Sequence, residues 1–160
     1  MGIELPAALE EARAFIGCEF PTTNESALRG RADEWRQLAE LTSQVIARVE
    51  GGVDGVAGAN VGPARDAFVA FMSGGGGNLG SLRDFRVGCE RAAMGHEAAA
   101  MAIMALKSLM IAQLGQVAVA IHAAKPFGAP AIPFLRGVQL GARVAVEQAT
   151  RATTELLMAG

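Results

Sequence analysis

The chain has 160 residues, of which 51% are hydrophobic and 19% charged, and its net charge is −2 at neutral pH. This length fits one domain, and the apolar share is too high for an intrinsically disordered chain. Two cysteines are too few for a disulfide scaffold, and a near-neutral charge without a basic run argues against nucleic acid as the main partner. The composition predicts a helical, alanine-rich domain and indicates no activity.

Charge is unevenly distributed along the chain. Residues 1–97 carry 9 Lys/Arg and 14 Asp/Glu, a net of −5, whereas residues 98–160 carry 5 and 2, a net of +3. The first residues lack a basic region followed by an apolar core, so we expect no cleaved signal peptide. If the protein is exported, we expect a route that needs no such signal.

A short helix is predicted after Pro6, over about residues 7–16, and a long helix over about residues 24–50. The start signal of the long helix is Thr22 with Glu25 three positions later, the pattern of a capping box. Apolar residues then recur at alternating steps of four and three, which is typical of one buried helix face. This first stripe consists of Leu28, Ala32, Trp35, Ala39, Thr42, Ile46 and Val49, with Thr42 as its one polar member.

Several glycines follow this helix in the sequence and are expected to end it. Asn60 and Gly62 end or turn it, and Pro63 suits the first turn of a following short helix. The apolar face of that helix is predicted to be Ala64, Ala67, Phe68 and Phe71. The glycine run at residues 74–77 interrupts the chain, and Ser81 with Asp84 predicts a restart.

Two more helices follow, and they complete an all-α, elongated antiparallel bundle of long helices with a C-terminal Ala-rich hairpin. The first ends at the turn of residues 125–130, and the last covers about residues 133–158. The stripe of the first is Leu82, Phe85, Cys89, Ala92, His96, Ala99, Ile103, Leu106, Met110, Leu114, Val117 and Ile121. The stripe of the last is Leu135, Val138, Ala142, Ala145, Ala149, Ala152 and Leu156.

Chemical motifs are weak. Residues 75–80 match G-x-G-x-x-G, but a helical pattern precedes them where a dinucleotide site needs a strand, so we interpret them as a turn. Cys18 and Cys89 lack metal-ligand spacing; Cys89 lies on the apolar stripe, and whether the two cysteines pair stays open. His96 and His122 have no converging nucleophile, which favours a hydrogen-bonded histidine at a packing seam over an acid–base pair. We therefore expect no catalytic residue, metal or cofactor.

Residues 98–124 carry a single charge, Lys107, and form a segment just short of a typical membrane span. A central Lys costs about 2.5 kcal/mol or more in lipid, which favours a central bundle helix or one covered by a partner. Insertion into a membrane is the alternative. Trp35, Phe68 and Phe71 are candidate anchors for a partner helix, unless they pack on each other across the turn.

Three segments together resemble a known family: residues 2–9, Phe20-Pro21, and the run from Leu28 through residues 32–39, which includes Trp35 and Leu38. They resemble the WXG-like N-terminal domain of actinobacterial polymorphic toxins exported by type VII secretion, a family that includes a mycobacterial channel domain. The resemblance covers essentially the whole chain and is most specific in the first 40 residues.

The resemblance implies a non-catalytic trafficking module that binds small WXG-type helical hairpins and precedes a C-terminal toxin domain. It implies one domain, 1–160, with an N-terminal segment (1–22), a helix-turn-helix part (23–97) and an apolar hairpin (98–160). It implies secretion or a cell-envelope location by the type VII route, with a cytoplasmic stage before export. The partner-binding residues expected are Leu28, Trp35, Leu38, Phe68 and Phe71, with a turn motif of Asn60, Gly62 and Pro63.

The sequence departs from the family pattern at two points. The turn normally reads Trp-x-Gly, and here it reads Asn60-Val61-Gly62, so the contacts of that Trp are replaced. The Tyr-x-x-x-acidic export signal is absent because the chain has no Tyr. We expect a partner or another segment to supply it. The alternative function is a membrane-inserting or channel-forming domain that uses residues 98–124.

Overall fold

A computed structural model describes residues 2–74 and 77–159, and every regular element in those ranges is helical. The α-helices are α1 (Glu10–Ile16), α2 (Glu25–Ala59), α3 (Pro63–Ser73), α4 (Asn78–Ala124) and α5 (Ile132–Ala159). Short 3₁₀ turns cover Ala7–Leu9, Lys125–Phe127 and Ala129–Ala131. The predicted all-α helical bundle is confirmed.

The chain divides into two compact units. Unit 1 contains the residues up to Leu28 together with those from Ala98 onward, and unit 2 is Arg29–Glu97. Each unit has its own apolar core.

The predicted capping box of Thr22 and Glu25 at the start of α2 is wrong. The side-chain oxygen of Asn24 accepts the backbone N–H groups of Ser26 at 3.0 Å and Ala27 at 3.2 Å, so Asn24 is the cap. Asn caps a helix as well as Thr does, and it stands directly before the first helical residue. The Glu25 carboxylate is directed to other partners, described below.

Helix α2 continues about nine residues beyond the predicted end, through the Gly51-Gly52 pair to Ala59. Its apolar period continues to Val53, which is buried with Ile46 and Leu79 in the core of unit 2. Packing of this face outweighs the cost of about 1 kcal/mol that a glycine imposes on a helix interior. The predicted first stripe is confirmed, because Ala32, Ala39, Thr42 and Ile46 are buried.

The short helix α3 forms where predicted, but the predicted apolar face is wrong. Val69 and Met72 pack against the core of unit 2, while Phe68 and Phe71 remain 37% and 63% exposed. Both faces of α3 carry apolar residues, so the pattern alone could not select the buried one.

Helix α4 begins at Asn78, three residues before the predicted Ser81, and continues unbroken to Ala124. Its predicted stripe is confirmed for the buried residues Cys89, Ile103, Leu106, Met110, Leu114 and Val117. Phe85 is the exception, with 49% of its surface exposed.

Helix α5 matches the prediction to within a residue at each end, although Leu156 near its end is exposed.

The core of unit 1 forms between α1, the second part of α4, and α5. The core residues are Ala12, Ile16, Leu106, Met110, Leu114, Val117, Ala142 and Val146. Partly buried side chains of the N-terminal segment, including Leu5, Phe15 and Phe20, cover this core.

One candidate membrane span lies in the described part of residues 63–127, by length and composition alone. An 18-residue window there has a mean hydropathy of 1.6, and 28% of that window is buried within the protein. The core helix of a soluble protein can meet the same criterion.

Candidate partner-binding surface

Helices α2 and α4 are antiparallel in unit 2. Arg36 of α2 pairs with Glu97 of α4, and Glu50 of α2 pairs with Arg83 of α4 at 2.5 Å. The hydrogen bond and charge of Glu97 raise the pKa of Arg36 above its ordinary value. Since all four side chains are partly exposed, these pairs contribute more to the register of the helices than to stability.

A second apolar stripe runs along α2 beside its buried face. Leu38, Leu41, Val45 and Val56 follow one another at steps of three, four and eleven residues. At 3.6 residues per turn, these steps keep all four on one side of the helix. They remain 36%, 57%, 45% and 41% exposed, respectively. We call these four residues the α2 stripe. A helix with apolar residues on a second, uncovered face is suited to packing against another helix.

Trp35 lies at the edge of this surface and is half-buried. It lines a shallow cavity of about 400 Å³ with Arg31, Glu34, Leu38 and His96. His96 uses Nδ1 for a 2.8 Å hydrogen bond with the carbonyl oxygen of Ala92, so the predicted hydrogen-bonded histidine is confirmed. Trp35 and Leu38 therefore line the same cavity, and the other residues that line it are polar or charged.

The structure does not bring Trp35 to Phe68 and Phe71. Helix α3 packs near Ile46 and Val53, and Trp35 precedes them by 11 and 18 residues, about 16 and 27 Å along α2 at 1.5 Å per residue. The two phenylalanines form a separate exposed apolar site on α3. Leu28, the fifth expected partner-binding residue, is half-buried and belongs to unit 1.

The turn between α2 and α3 is built by Asn60, Gly62 and Pro63. The Asn60 side-chain amide donates to the carbonyl of Val56 at 2.9 Å and so satisfies one of the last carbonyl groups of α2. Gly62 has φ +104°, a conformation essentially restricted to glycine, and Pro63 is the first residue of α3. Asn60, at the position of the family Trp, therefore caps a helix.

Unit 1 contains a buried ion pair that was not predicted from the sequence. Lys107 Nζ lies 2.9 Å from Glu25 Oε2 and also donates to the carbonyl oxygens of Ile3 at 2.8 Å and Thr23 at 2.7 Å. It stands 5.8 Å from the centroid of the Phe20 ring. A sequence signal for the burial of Lys107 was present, because Lys107 lies four residues after Ile103 and three before Met110 on the predicted stripe, and both of these are buried.

The carboxylate of Glu25 is held in its charged form. It accepts a hydrogen bond from the backbone N–H of Ile3, and this bond is the chief cause that lowers the pKa of Glu25 to about 2. Lys107 lowers this pKa further, and burial opposes both effects. With its ammonium bonded to three oxygens, Lys107 ties residues 3 and 23–25 to α4.

The other sequence candidates are the two cysteines and the glycine motif. Cys18 is half-buried and Cys89 buried, and both thiols are free. In the described ranges, no three His, Cys, Asp or Glu side chains are grouped to hold a metal. Gly75 and Gly76 of the glycine motif lie outside the described residues, and the helix α3 precedes it.

The fold is a helical bundle in which the α2 stripe, a second apolar face of α2, stays partly exposed among the described residues. The family model of the WXG100 like domain matches residues 5–153. Since this is most of the sequence, the chain belongs to this family. The predicted WXG-like domain is confirmed. The protein is therefore a type VII secretion-related helical protein, of a family that is generally non-enzymatic and typically forms helical-hairpin dimers or heteromers. No curated protein and no solved structure gave a significant match.

Proposed function

We propose that this domain is a non-catalytic adaptor of a type VII secretion substrate and that it binds a small WXG-type helical hairpin through the α2 stripe. One observation carries the proposal: the exposed α2 stripe runs beside the face of α2 that is buried against the core of unit 2. A partner helix laid along this stripe would meet Leu41 and Val45 first, since they are the most exposed of its four residues.

Trp35 and Leu38 supply the second contact region in this proposal. Large aromatic side chains in partly enclosed sites carry much of the binding energy of protein interfaces. The cavity beside Trp35 is rimmed by Arg31 and Glu34, so a partner side chain of either charge finds an opposite group there. Phe68 and Phe71 on α3 form a further, separate contact.

Co-expression with small WXG-type proteins encoded beside this gene tests the proposal. We expect a heteromeric complex that stays intact through gel filtration at micromolar concentration. Consistent failure with every such neighbour, while the domain itself remains folded by circular dichroism, would contradict it. In this proposal, the partner or another segment supplies the Tyr-containing export signal, because this sequence contains no Tyr.

The toxin context is part of the same proposal: we infer an actinobacterial polymorphic toxin in which this domain directs a C-terminal effector to the type VII machinery. Its support is the resemblance of the first 40 residues to that group. The protein then leaves the cytoplasm without a cleaved signal peptide. Sequencing the gene downstream of codon 160 tests this inference, and a stop codon there would contradict it.

The second candidate function is a membrane-inserting or channel-forming domain that uses residues 98–124. It is favoured by the 18-residue window of mean hydropathy 1.6. It is opposed by Lys107, whose partners lie within unit 1 and would be lost on insertion. Dye release from liposomes discriminates: release that is abolished by substitutions in this segment supports a channel, and intact liposomes at every pH oppose it.

A further inference from the structure

The turn between α4 and α5, together with the first turn of α5, forms an apolar segment of unit 1. Residues 126–135 read Pro-Phe-Gly-Ala-Pro-Ala-Ile-Pro-Phe-Leu and contain no polar side chain. Turns normally carry Gly, Pro, Asn, Asp or Ser, and this one has Gly and Pro but none of the three polar types. Two 3₁₀ turns on either side of Gly128, which has φ +60°, hold this segment in a compact form. We call residues 125–136 the tip.

The large apolar side chains of the tip face outward. Phe127 is 69% exposed, Ile132 is 50% exposed and Phe134 is 58% exposed. Phe127 and Phe134 also border a shallow cavity of about 330 Å³, and its other lining residues are Ala123, Ala124, Pro130 and Ala131. Exposed apolar clusters of this kind mark interaction sites, because burying them in unit 1 would have been more favourable.

The charged residues of the tip itself are basic, although the whole sequence has a net charge of −2. Residues 98–146 contain no Asp or Glu. Lys125 and Arg136 bound the tip, and both are exposed. Lys125 lies 3.8 Å from Glu11, but both side chains are more than half exposed, so this pair is weak and Lys125 remains able to contact a ligand.

We propose that the tip inserts into the interfacial region of an anionic lipid bilayer. Phe127, Ile132 and Phe134 enter the acyl boundary, and Lys125 and Arg136 contact the lipid phosphates. Apolar side chains flanked by basic residues are the combination that binds anionic membrane surfaces. Three side chains offer little area beside the roughly 800 Å² per partner of a stable protein interface, whereas a lipid surface needs no matching shape.

This binding differs from the spanning of a membrane by α4. Lys107 stays in unit 1 with its three oxygen partners, and α4 and α5 keep their packing. It also uses no residue of the α2 stripe. Retained complex formation with a helical partner therefore shows whether a tip variant has failed in lipid binding alone.

Flotation of the full chain with vesicles tests the proposal. We expect binding to vesicles of phosphatidylcholine with 30% phosphatidylglycerol, and little binding to phosphatidylcholine alone. The Phe127→Ser/Phe134→Ser variant should lower the partition coefficient at least about tenfold, and Lys125→Gln and Arg136→Gln should lower it about fivefold each. Leu140→Ser/Val144→Ser, at exposed apolar positions of α5 outside the tip, is the matched control and should bind as wild type does.

A fluorescence measurement locates the tip in the bilayer. Trp35 is the only Trp, so a Trp35→Phe/Phe134→Trp variant reports from the tip alone. We expect a blue shift on addition of anionic vesicles and quenching by lipids brominated near the headgroup. Equal binding of all variants, or no shift at position 134 in a variant folded by circular dichroism, overturns the proposal. Absence of binding to either vesicle also overturns it.

Discussion

The ammonium group of Lys107 lies 2.9 Å from the carboxylate of Glu25, and the two side chains are only 3% and 4% exposed. These residues are 82 positions apart, so their contact fixes the start of α2 against the middle of α4. Glu25 also accepts the N–H of Ile3, and Lys107 donates to the carbonyl of Ile3. The pair therefore fastens the N-terminal segment over the core of unit 1.

We expect Glu25→Ala to lower the free energy of unfolding by about 3–5 kcal/mol, because it leaves the Lys107 ammonium buried without its counter-charge. Urea denaturation followed by circular dichroism measures this. The matched control is Glu34→Ala, at an exposed carboxylate on the same helix, which should change the free energy by no more than about 0.5 kcal/mol.

The double variant Glu25→Leu/Lys107→Met tests the same pair by removing both charges at once. Replacing both charges by apolar side chains removes the desolvation cost as well as the attraction, so much of the lost stability should return. A double variant as unstable as Glu25→Ala would show that the hydrogen bonds to Ile3 and Thr23, and not the ion pair, hold this region.

Stability should depend on the protonation of Glu25. Its pKa is about 2 in the folded protein against an ordinary value of 4.5, so folding favours the charged form. This contribution is fully present above pH 4.5 and is lost as the pH falls from about 4.5 towards 2. Thermal unfolding from pH 7 to pH 2 should show a steeper loss for wild type than for Glu25→Gln. Parallel curves would refute the assignment.

The turn of the family motif should tolerate only glycine at position 62. A Cβ at φ +104° is strained, so Gly62→Ala should lower the free energy of unfolding by about 1–3 kcal/mol. Gly51→Ala is the matched control, since this glycine lies inside α2 with open space around it, and it should raise stability by about 0.5–1 kcal/mol. Equal effects of the two substitutions would argue against the turn geometry.

The two thiols should differ in reactivity. Cys89 is 2% exposed and should react with a thiol reagent only on unfolding. Cys18 is half-buried, and burial raises the pKa of its thiol, so its reaction should be slow at pH 8 and accelerate as the pH rises. Titration of the native protein should therefore count one reactive thiol, and two would contradict the packing of Cys89.

The helices were predictable because their apolar residues repeat at steps of three and four over many turns. The stripe from Cys89 to Val117 is buried almost as expected, since a long periodic pattern leaves one face to bury. Short α3 was predicted as a helix with the wrong face, because eleven residues with apolar groups on both sides do not determine which side packs.

The Glu25–Lys107 contact could not be predicted in the same way. The pattern at residues 22–25 fits a capping box, and only the position of Lys107 in space shows why the Glu25 carboxylate turns away from its own helix. The exposed α2 stripe was also missed apart from Leu38, since Leu41, Val45 and Val56 fall outside the main stripe. Whether these residues are exposed depends on which face of α2 is packed against α4, and a single sequence does not determine that face.

In the proposed function, the α2 stripe binds a helical-hairpin partner. The most direct test of this binding is the dissociation constant of the complex with the neighbouring WXG-type protein, measured by calorimetry for wild type, Leu41→Asp/Val45→Asp and Val61→Asp. Val61 is 92% exposed in the turn and serves as the matched control. We predict that the stripe variant binds at least about thirtyfold more weakly while Val61→Asp binds as wild type. A stripe variant that keeps its fold and the wild-type dissociation constant would contradict the account.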